Sequence, residues 1–337
     1  MRSTLSEISA EAGVSEATVS RVINGRAGVS VATRHRVREV LERHGYGRHA
    51  ASASSRLVGV VVPELVNPIF GTFADHMESQ LSLHGFNAII RCIRTTDDEN
   101  EFADMLLKNG AAGMILISGT NSSANRDMKS FQALEERGLR FVLVNGPAPE
   151  LKAPSLSTDF ATGVNDSIAH LRSLGHGVIG LASGPETSHS SAQQIAAYRS
   201  MIDSIGINQH HVSSSYSVEG GDAATTSLLQ QGVTAIIFGS DIMAMGGIRA
   251  AKRQGLSLPG DLSIVGMDNS TFMQFITPSL TTVRQPILEI AQEAVAFLLS
   301  PAEDDSSAKS DLLFRPELVV RASTAPARAE DDRSSAR

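Results

Sequence analysis

Residues 4–46 read TLSEISAEAGVSEATVSRVINGRAGVSVATRHRVREVLERHGY, a pattern that predicts three short helices around one small core. Thr4 begins a capping box that starts the first helix, and Gly13 suits the left-handed turn that ends it. Ser15 and Ser30 are good N-caps for the second and third helices. The apolar residues at helical spacing form the predicted core: Leu5, Ile8, Val14, Val19, Val22, Ile23, Val37, Val40 and Leu41.

The second predicted helix has a polar face opposite this core. The face consists of Glu16, Ala17, Ser20, Arg21 and Asn24, which recur at helical spacing. A polar face near the N-terminus of a short helix is what a helix-turn-helix protein inserts into the major groove of DNA. The alternative is a plain three-helix cap with a solvated face.

Charge is divided unevenly along the chain. Residues 1–56 hold nine arginines against five glutamates, whereas the remainder holds 20 basic and 31 acidic residues, and the net charge is −7. A basic amino-terminal unit on an acidic body indicates a protein that binds nucleic-acid phosphates through that unit only. We therefore expect double-stranded DNA as a partner.

The composition constrains the compartment and the other partners. The 42% share of apolar residues is enough to form hydrophobic cores. The length of 337 residues suits a small DNA-binding unit joined to a larger body. The single cysteine, Cys92, cannot form an internal disulfide, so we expect a buried, inert thiol in a reducing compartment. We find no signal peptide and no apolar run long enough to cross a membrane, and we expect a cytoplasmic protein without a membrane partner.

From residue 57 onward, short apolar runs alternate with longer helical patterns. This alternation predicts an α/β body in which parallel sheets are covered by helices on both faces. The series restarts at Gly177, so we expect two similar doubly wound lobes with a ligand cleft at the carboxyl ends of their strands. The predicted strands are LVGVVV, FNAIIRCI, GMILI, RFVLV, GVIGLA, TAIIF and LSIVG, and the predicted helices lie near residues 70–84, 99–109, 129–137, 161–174, 192–204, 220–231 and 241–254.

The sequence carries no motif for catalysis or metal binding. It lacks a G-x-S-x-G elbow, a Walker-type phosphate loop and a G-x-G-x-x-G turn after a strand. Its ten histidines are scattered, and neither His210 with His211 nor His170 with His176 has metal-ligand spacing. We therefore expect no catalytic residue, no metal and no cofactor. The alternatives are an enzyme, a cytoplasmic sugar-binding sensor, and a secreted sugar-binding module, which would need a signal peptide and no DNA reader.

The order of motifs resembles that of the LacI/GalR family of bacterial transcription regulators over roughly residues 4–324. The reader matches through AGVSEATVSRVING, and the body through NPIF at 67–70, HLRSLGH at 170–176, GSDIMAMGG at 239–247, GDLSIVGMD at 260–268 and PSLTTVRQP at 278–286. The resemblance implies a repressor with a periplasmic-binding-protein-like body that binds a small effector. It also implies a homodimer that binds a palindromic operator.

The resemblance further implies how the chain is divided. We expect a helix-turn-helix domain at 1–46, a linker at 47–56, a two-lobed body at 57–324 and a disordered tail at 325–337. Disorder is expected because the stretch that begins at Ala322 has few apolar residues to bury. Because the family's chain crosses between lobes, lobe one is assigned residues 57–172 and 285–314, and lobe two residues 173–284 and 315–324.

In the family, the start of the second helix reads bases, and the corresponding residues here are Ser15, Glu16, Ala17, Ser20 and Arg21. Arg21 can donate two hydrogen bonds to guanine. Glu16 can accept from a cytosine amino group, or it can serve only as a first-turn carboxylate favoured by the helix dipole. Phosphates would be held by Arg34 and Arg36 or by Asn24 and Arg26, and Thr4 and Thr18 complete the predicted DNA-binding set.

The linker departs from the family's pattern. Gly47–Arg56 is about five residues shorter than usual, and no leucine precedes Leu57 to wedge into the minor groove. Ala50–Ser55 could form a short helix, and the sequence does not decide between helix and coil there.

The effector pocket implied by the resemblance also departs from the family. Gln194 stands where an arginine is common and Ser240 where an asparagine is frequent, so a charged grip on an anionic effector is lost. Asp268 would accept from paired hydroxyls and Tyr216 would cover an apolar ring face, although a strand-end cap and simple packing are their structural alternatives. The other expected contacts are Asn67, Phe70, Ser118, Thr162 and Ser190. We therefore expect a neutral sugar as the effector.

Overall fold

The computed structural model describes residues 5–23, 29–30, 33, 36–37, 40, 56–118, 122–123, 128–148, 151–300 and 311–328. The amino-terminal unit contains α1 (Leu5–Ala12) and α2 (Glu16–Ile23), followed by a segment in which residues 33, 36–37 and 40 are helical. The body consists of two α/β lobes, each built on a six-stranded sheet.

Three of the predicted helix boundaries in the amino-terminal unit lie within the described residues. Gly13 has a φ of 62°, the left-handed conformation that ends α1. The Ser15 hydroxyl accepts from the Thr18 N–H at 3.3 Å, and the Ser30 hydroxyl accepts from the Thr33 N–H at 3.2 Å. The caps predicted at Ser15 and Ser30 are therefore confirmed.

One apolar cluster joins the three segments of this unit. Its buried members are Ile8, Ala12, Val19, Val22, Val37 and Val40, with Val14 and Val29 partly buried against them. The cluster confirms the predicted core except that Ala12 and Val29 were not expected in it. The side chains of Leu5, Ile23 and Leu41 lie outside the described residues.

Lobe one contains β1 (Leu57–Val62), β2 (Asn87–Cys92), β3 (Gly113–Ile117), β4 (Phe141–Val144), β5 (Ser155–Thr158) and β11 (Asp311–Phe314). These strands are parallel and lie in the order β11-β5-β4-β3-β1-β2. Helices α3 (Pro68–Leu83) and α10 (Ile287–Leu299) cover one face, and α4 (Thr96–Lys108) and α5 (Met128–Glu136) cover the other. The near-continuous apolar run of β1 follows from burial on both faces.

Lobe two contains β6 (Ile179–Ser183), β7 (His210–Ser213), β8 (Ala235–Phe238), β9 (Ser263–Asp268), β10 (Thr281–Arg284) and β12 (Glu317–Val319). The order is β12-β10-β9-β8-β6-β7, and only β12 runs antiparallel to its neighbour among these strands. Helices α6 (Phe160–Ser173) and α7 (His189–Ser204) cover one face, and α8 (Val218–Leu229) and α9 (Asp241–Arg253) cover the other. A short 3₁₀ helix spans Thr271–Gln274.

The predicted two-lobed α/β architecture is confirmed, with a strand or helix at each predicted position in the body. Five strands were not predicted: β5, β7, β10, β11 and β12. Their sequences, such as SLST, HHVS and TTVR, are short and half polar, so they lack the apolar run that identified the others.

The chain crosses between the lobes three times, and the first crossing lies earlier than expected. It follows Thr158, the last residue of β5, because α6 belongs to lobe two: Phe160, Val164 and Ile168 are buried in the core of that lobe. The assignment of residues 160–172 to lobe one was therefore wrong. The second crossing joins β10 to α10 after Arg284, and the third joins β11 to β12.

Two expectations about exposed and disordered segments were also wrong. Cys92 is exposed, because β2 is an edge strand of lobe one. Residues 325–328, assigned to a disordered tail, lie against lobe two: the Ala325 carbonyl accepts from His176 Nε2 at 3.0 Å, and the Ala327 N–H donates to the Leu174 carbonyl at 2.8 Å. Residues 329–337 lie outside the described part of the chain.

Candidate effector cleft and DNA-reading surface

A cavity of about 270 Å³ lies between the lobes, at the carboxyl ends of several strands. Lobe one contributes Asn67, Phe70, Phe73, Ser118 and Asn145, and lobe two contributes Phe160, Ser190, Gln194, Tyr216, Ser240 and Asp268. Gln285, on the second crossing, completes this part of the wall. The cavity therefore lies where open α/β sheets bind ligands.

The structure brings eight of the nine expected effector residues to this cavity and leaves Thr162 out. Thr162 lies in the first turn of α6, where its hydroxyl donates to the Asp159 carboxylate at 2.7 Å and its N–H donates to the same carboxylate at 3.0 Å. Because both polar groups of Thr162 serve the N-cap of α6, its expected role in the pocket was wrong.

Two of the lining residues also cap helices. The Asn67 side chain accepts from the Ile69 N–H at 3.3 Å at the start of α3, and the Ser240 hydroxyl accepts from the Met243 N–H at 3.4 Å at the start of α9. Both helix N-termini therefore border the cavity. Their caps fix the positions of Asn67 and Ser240 before any ligand binds.

Unusual backbone conformations are concentrated at the cleft. Among the described residues other than glycine, positive φ angles occur at Ser118 (47°), Asn145 (54°), Asp268 (122°) and Asn269 (57°). Ser118 follows β3, Asn145 follows β4, and Asp268 ends β9. Such conformations persist only where the surrounding structure enforces them, and they are common at ligand sites.

Asp268 presents an unpaired acceptor in the cleft. Its Oδ1 accepts from Gln285 Nε2 at 2.8 Å, whereas its Oδ2 is buried and has no hydrogen-bond partner. Burial raises the pKa of Asp268 well above its ordinary value, and the neighbouring carboxyl of Asp241 raises it further, while the Gln285 bond opposes the shift. Burial therefore destabilises the ionised form of this carboxyl group, and a donor to Oδ2 would offset that cost.

Asp241 lies next to Asp268 and is fully buried. Its carboxylate accepts from the Ser270 N–H at 2.7 Å and from the Thr282 hydroxyl at 2.6 Å. Burial raises the pKa of Asp241 from 3.8 to about 7 in spite of these bonds. Asp268 in the cavity wall and Asp241 buried beside it therefore both hold a proton more tightly than exposed aspartates do.

Gln194 presents a second unpaired acceptor. Its amide nitrogen donates to the Gly239 carbonyl at 3.3 Å, and its Oε1 is buried without a partner. Each of the two cleft acceptors, Asp268 Oδ2 and Gln194 Oε1, lacks the donor that a buried oxygen normally has.

Tyr216 is held from two sides. Its hydroxyl lies 3.0 Å from the Ser190 hydroxyl and 2.6 Å from the Ser191 hydroxyl, and its ring lies against Gly184, where a Cβ would approach Tyr216 Cζ to 2.1 Å. Only glycine fits that position without displacing the ring. Burial raises the pKa of the Tyr216 hydroxyl, so the group stays neutral. The ring is thus a fixed apolar wall of the cavity.

The charge of the lining is negative or neutral. The charged side chains among the lining residues are Glu64 and Asp268, and these described residues include no lysine, arginine or histidine. An anionic ligand would therefore meet no cationic side chain in this wall, and desolvating its charge there would be costly.

Sequence reasoning missed several residues of the wall, of which Glu64, Asn145 and Gln285 are the most polar. Asn145 directly follows the predicted strand RFVLV, so inspection of the first residue after each strand would have found it. Gln285 follows β10, which was not predicted as a strand, and its position became visible only in the folded chain.

In the amino-terminal unit, α2 places its expected contact residues on the outside. Glu16, Ala17, Ser20 and Arg21 are exposed, whereas the valines of α2 face the core. The Ser15 hydroxyl lies 3.0 Å from the Thr18 hydroxyl, so both groups already take part in the helix cap. The other expected DNA contacts lie outside the described residues: Thr4, Asn24, Arg26 and Arg34.

In the described part of the chain, no group of three or more His, Cys, Asp or Glu side chains is arranged to hold a metal ion. No helix of the same residues is long and apolar enough to cross a membrane.

Comparison with known sequences identifies both parts of the chain. Residues 4–49 match the family of bacterial regulatory proteins, lacI family, and residues 168–324 match the periplasmic binding protein-like domain. The HTH-type transcriptional regulator MalR of Streptomyces coelicolor is 39% identical over 343 residues, which cover 99% of this chain and 100% of MalR.

Two solved structures share the fold. A LacI family transcriptional regulator from Enterococcus faecium with bound ribose has a TM-score of 0.72 at 26% identity and covers 81% of this chain and 100% of its own. The complex of the transcriptional regulator CelR with cellobiose has a TM-score of 0.72 at 26% identity and covers 96% of this chain and 100% of CelR. With the DNA-reading unit and the two-lobed body on one chain, the protein belongs to the LacI family of bacterial transcriptional regulators.

Proposed function

We propose that this regulator is a repressor whose affinity for a palindromic operator is controlled by a small, neutral sugar bound between its lobes. The observation that carries the proposal is the pair of buried acceptors without donors, Asp268 Oδ2 and Gln194 Oε1, beside the wall formed by Tyr216. Sugar hydroxyls supply donors at several positions of one ring, and the ring itself has an apolar face for an aromatic side chain.

The charge of the effector follows from the residues that line the cavity. The Glu64 carboxylate repels an anionic ligand, and Gln194 supplies no cation where the family commonly has an arginine. The ribose and cellobiose in the two similar structures are uncharged sugars as well. The volume of about 270 Å³ lies just below the usual range of about 300–1,000 Å³ and favours a small sugar.

A thermal-shift screen of the full chain tests this proposal. The screen uses D-ribose, D-glucose and cellobiose, each paired with a phosphorylated or carboxylated counterpart where one exists. We expect at least one neutral sugar to raise the melting temperature and its anionic counterpart to have no effect. Stabilisation by the anionic members alone would contradict the proposal.

For the DNA-reading surface, we propose that Arg21 donates two hydrogen bonds to guanine and that the start of α2 enters the major groove. Exposure of Glu16, Ser20 and Arg21 on one helix supports this assignment. Glu16 either accepts from a cytosine amino group or serves the helix N-terminus, and base substitution in the operator distinguishes the two roles.

We propose a homodimer because one reader covers only a few base pairs, and a twofold pair is needed for useful specificity. Sedimentation velocity of the full chain at micromolar concentration should show a dimer, and a monomer under these conditions would contradict it. We further propose a cytoplasmic location, where the DNA partner is found.

We propose that the cleft binds its ligand without turnover. The described lining residues include no histidine, lysine or cysteine that could act as a base or a thiol nucleophile beside the serines. Recovery of an unchanged sugar after prolonged incubation with the full chain, followed by chromatography, checks this. Conversion of the sugar would favour an enzyme instead.

A further inference from the structure

Gln285 has no role in the DNA-reading unit or in the sugar contacts proposed above. It follows β10 of lobe two directly and precedes α10 of lobe one, so it lies on the second crossing between the lobes. Its side chain is buried and lines the cavity. A buried side-chain amide needs one hydrogen-bond partner for its N–H group and another for its oxygen.

The amide of Gln285 bonds to both lobes at once. Its nitrogen donates to Asp268 Oδ1 of lobe two at 2.8 Å. Its oxygen accepts from the Thr158 hydroxyl at 2.9 Å and from Asn145 Nδ2 at 3.3 Å, and both of these residues lie at strand ends of lobe one. The reversed amide would place its nitrogen against the Asn145 amide donor, so the surrounding groups fix this orientation.

The same groups are tied to the first crossing. Thr158 is the last residue before it, and the Thr158 N–H donates to Asn145 Oδ1 at 2.9 Å. The Asp159 N–H donates to the Phe314 carbonyl at 2.9 Å, at the end of β11 and beside the third crossing. Gln285 is therefore the member of this network whose bonds join two lobes across the hinge.

We infer that Gln285 is a positioning residue that couples effector occupancy at Asp268 to the angle between the lobes. The inference rests on the proposed function, because it requires a ligand that donates to Asp268. One amide can bond to Asp268 and to Thr158 together only at one lobe angle, and a hinge motion that separates the lobes must break one set of bonds.

The effector can favour that angle because it changes the strength of the Gln285 bond. A hydroxyl that donates to Asp268 Oδ2 stabilises the charged carboxylate, and a charged acceptor holds the Gln285 N–H more strongly than a neutral one. The ligand thus binds one arrangement of the lobes better than others, which is what an allosteric ligand requires.

The test measures the distance between the lobes in the full chain. Cys92, the single cysteine and an exposed residue of lobe one, carries one spin label, and the variant Ala223→Cys supplies the second site on an exposed residue of lobe two. Labelled chain is diluted with unlabelled chain so that distances within one chain are measured. The distance distribution is recorded without ligand and with D-ribose or cellobiose.

In the doubly labelled parent we expect a narrow distribution of distances between the two labels, and sugar should narrow it further or shift it. Gln285→Met should broaden the distribution without ligand and remove the response to sugar. Gln230→Met, on an exposed residue outside the cleft, is the matched control and should behave like the parent. Thr158→Val removes one bond on the lobe-one side and should broaden the distribution to a smaller extent, which keeps the test decisive if Gln285→Met fails to fold.

A second readout is the ratio of operator affinities with and without sugar, on a duplex that the parent selects from a random pool. Coupling of about 5–150-fold is typical, and at saturating sugar Gln285→Met should bring it within about twofold of no effect. Unchanged distributions in both Gln285→Met and Thr158→Val would overturn the inference. If no neutral sugar binds the parent, the proposed effector class fails, yet the ligand-free distributions still decide whether Gln285 sets the lobe angle.

Discussion

The recognition helix and the effector cleft place their polar side chains in opposite environments. On α2, Glu16 and Arg21 are exposed to solvent on a regular helix, and the DNA contact proposed for them would remove that solvation. In the cleft, Asp268 and Gln194 are buried on folding, and Asp268 has a strained backbone with a φ of 122°. Substitutions on α2 should therefore change DNA binding alone, whereas substitutions in the cleft should change both ligand binding and the stability of the body.

The largest effect is expected from Arg21→Ala. Loss of one bidentate base contact costs about 1–3 kcal/mol per half-site, and a dimer loses two, so operator affinity should fall by roughly one and a half to four orders of magnitude. Fluorescence anisotropy at one fixed salt concentration compares the operator with a scrambled duplex. Arg137→Ala, which removes an exposed arginine of lobe one, is the control and should bind like the parent.

Binding to the scrambled duplex should change little in Arg21→Ala. Equal losses of affinity on both duplexes would show that Arg21 contacts phosphate and does not read a base.

The second prediction concerns the pH dependence of body stability. Asp241 has its pKa raised from 3.8 to about 7, so the folded state binds the proton more tightly than the unfolded state. The contribution of this group is fully present below about pH 4 and is lost as pH rises through about 7. Between pH 5 and pH 7 the parent should lose about 2 kcal/mol that Asp241→Asn does not lose.

Urea unfolding of the parent and of Asp241→Asn at both pH values measures this difference. Asp104→Asn, which changes an exposed carboxylate paired with Arg137, is the matched control and should keep the parent's pH dependence. Parallel curves for the parent and Asp241→Asn would show that burial does not hold a proton on Asp241.

The third prediction is that Asp268→Ala weakens the binding of the best neutral sugar by roughly one to two orders of magnitude. The substitution removes charge-assisted hydrogen bonds worth about 1.5–3 kcal/mol. Operator binding without sugar should survive, because the DNA-reading unit has a core of its own. Calorimetry on the full chain checks the affinity, and a variant that binds the sugar as tightly as the parent would remove Asp268 from the site.

The smallest expected effect is that of Gln194→Arg. Gln194 is fully buried, and a Cβ at Gly239 would lie 2.9 Å from its Oε1, so the site has little room for a longer side chain. Overpacking of this kind costs about 1–3 kcal/mol, and we expect sugar affinity to fall by about tenfold. Calorimetry with the neutral sugar measures this, and tighter binding or a wider sugar range would show that the arginine fits and contacts the ligand.

The elements of both regions were predictable to different degrees. The caps at Ser15 and Ser30 and the buried valines of the small unit were predicted because they depend on residues within a few positions of one another. In the body, the apolar strands were found and the half-polar ones were not. The missed strand β10 concealed Gln285, and the misplaced first crossing assigned α6 to the wrong lobe.

The sequence by itself determined the DNA-reading unit and the alternation of strands and helices, because helix periods, caps and apolar runs are local. Asp268, Gln194 and Tyr216 were expected in the pocket because the motifs resemble those of the LacI/GalR family. Only the tertiary structure decided that Thr162 serves a helix cap, that Asn145 and Gln285 reach the cleft, and that Asp268 and Gln194 keep one oxygen each without a donor. Those facts depend on which strand ends meet across two lobes, and residues as distant as Thr158 and Gln285 share a hydrogen bond only after the crossings have brought them together.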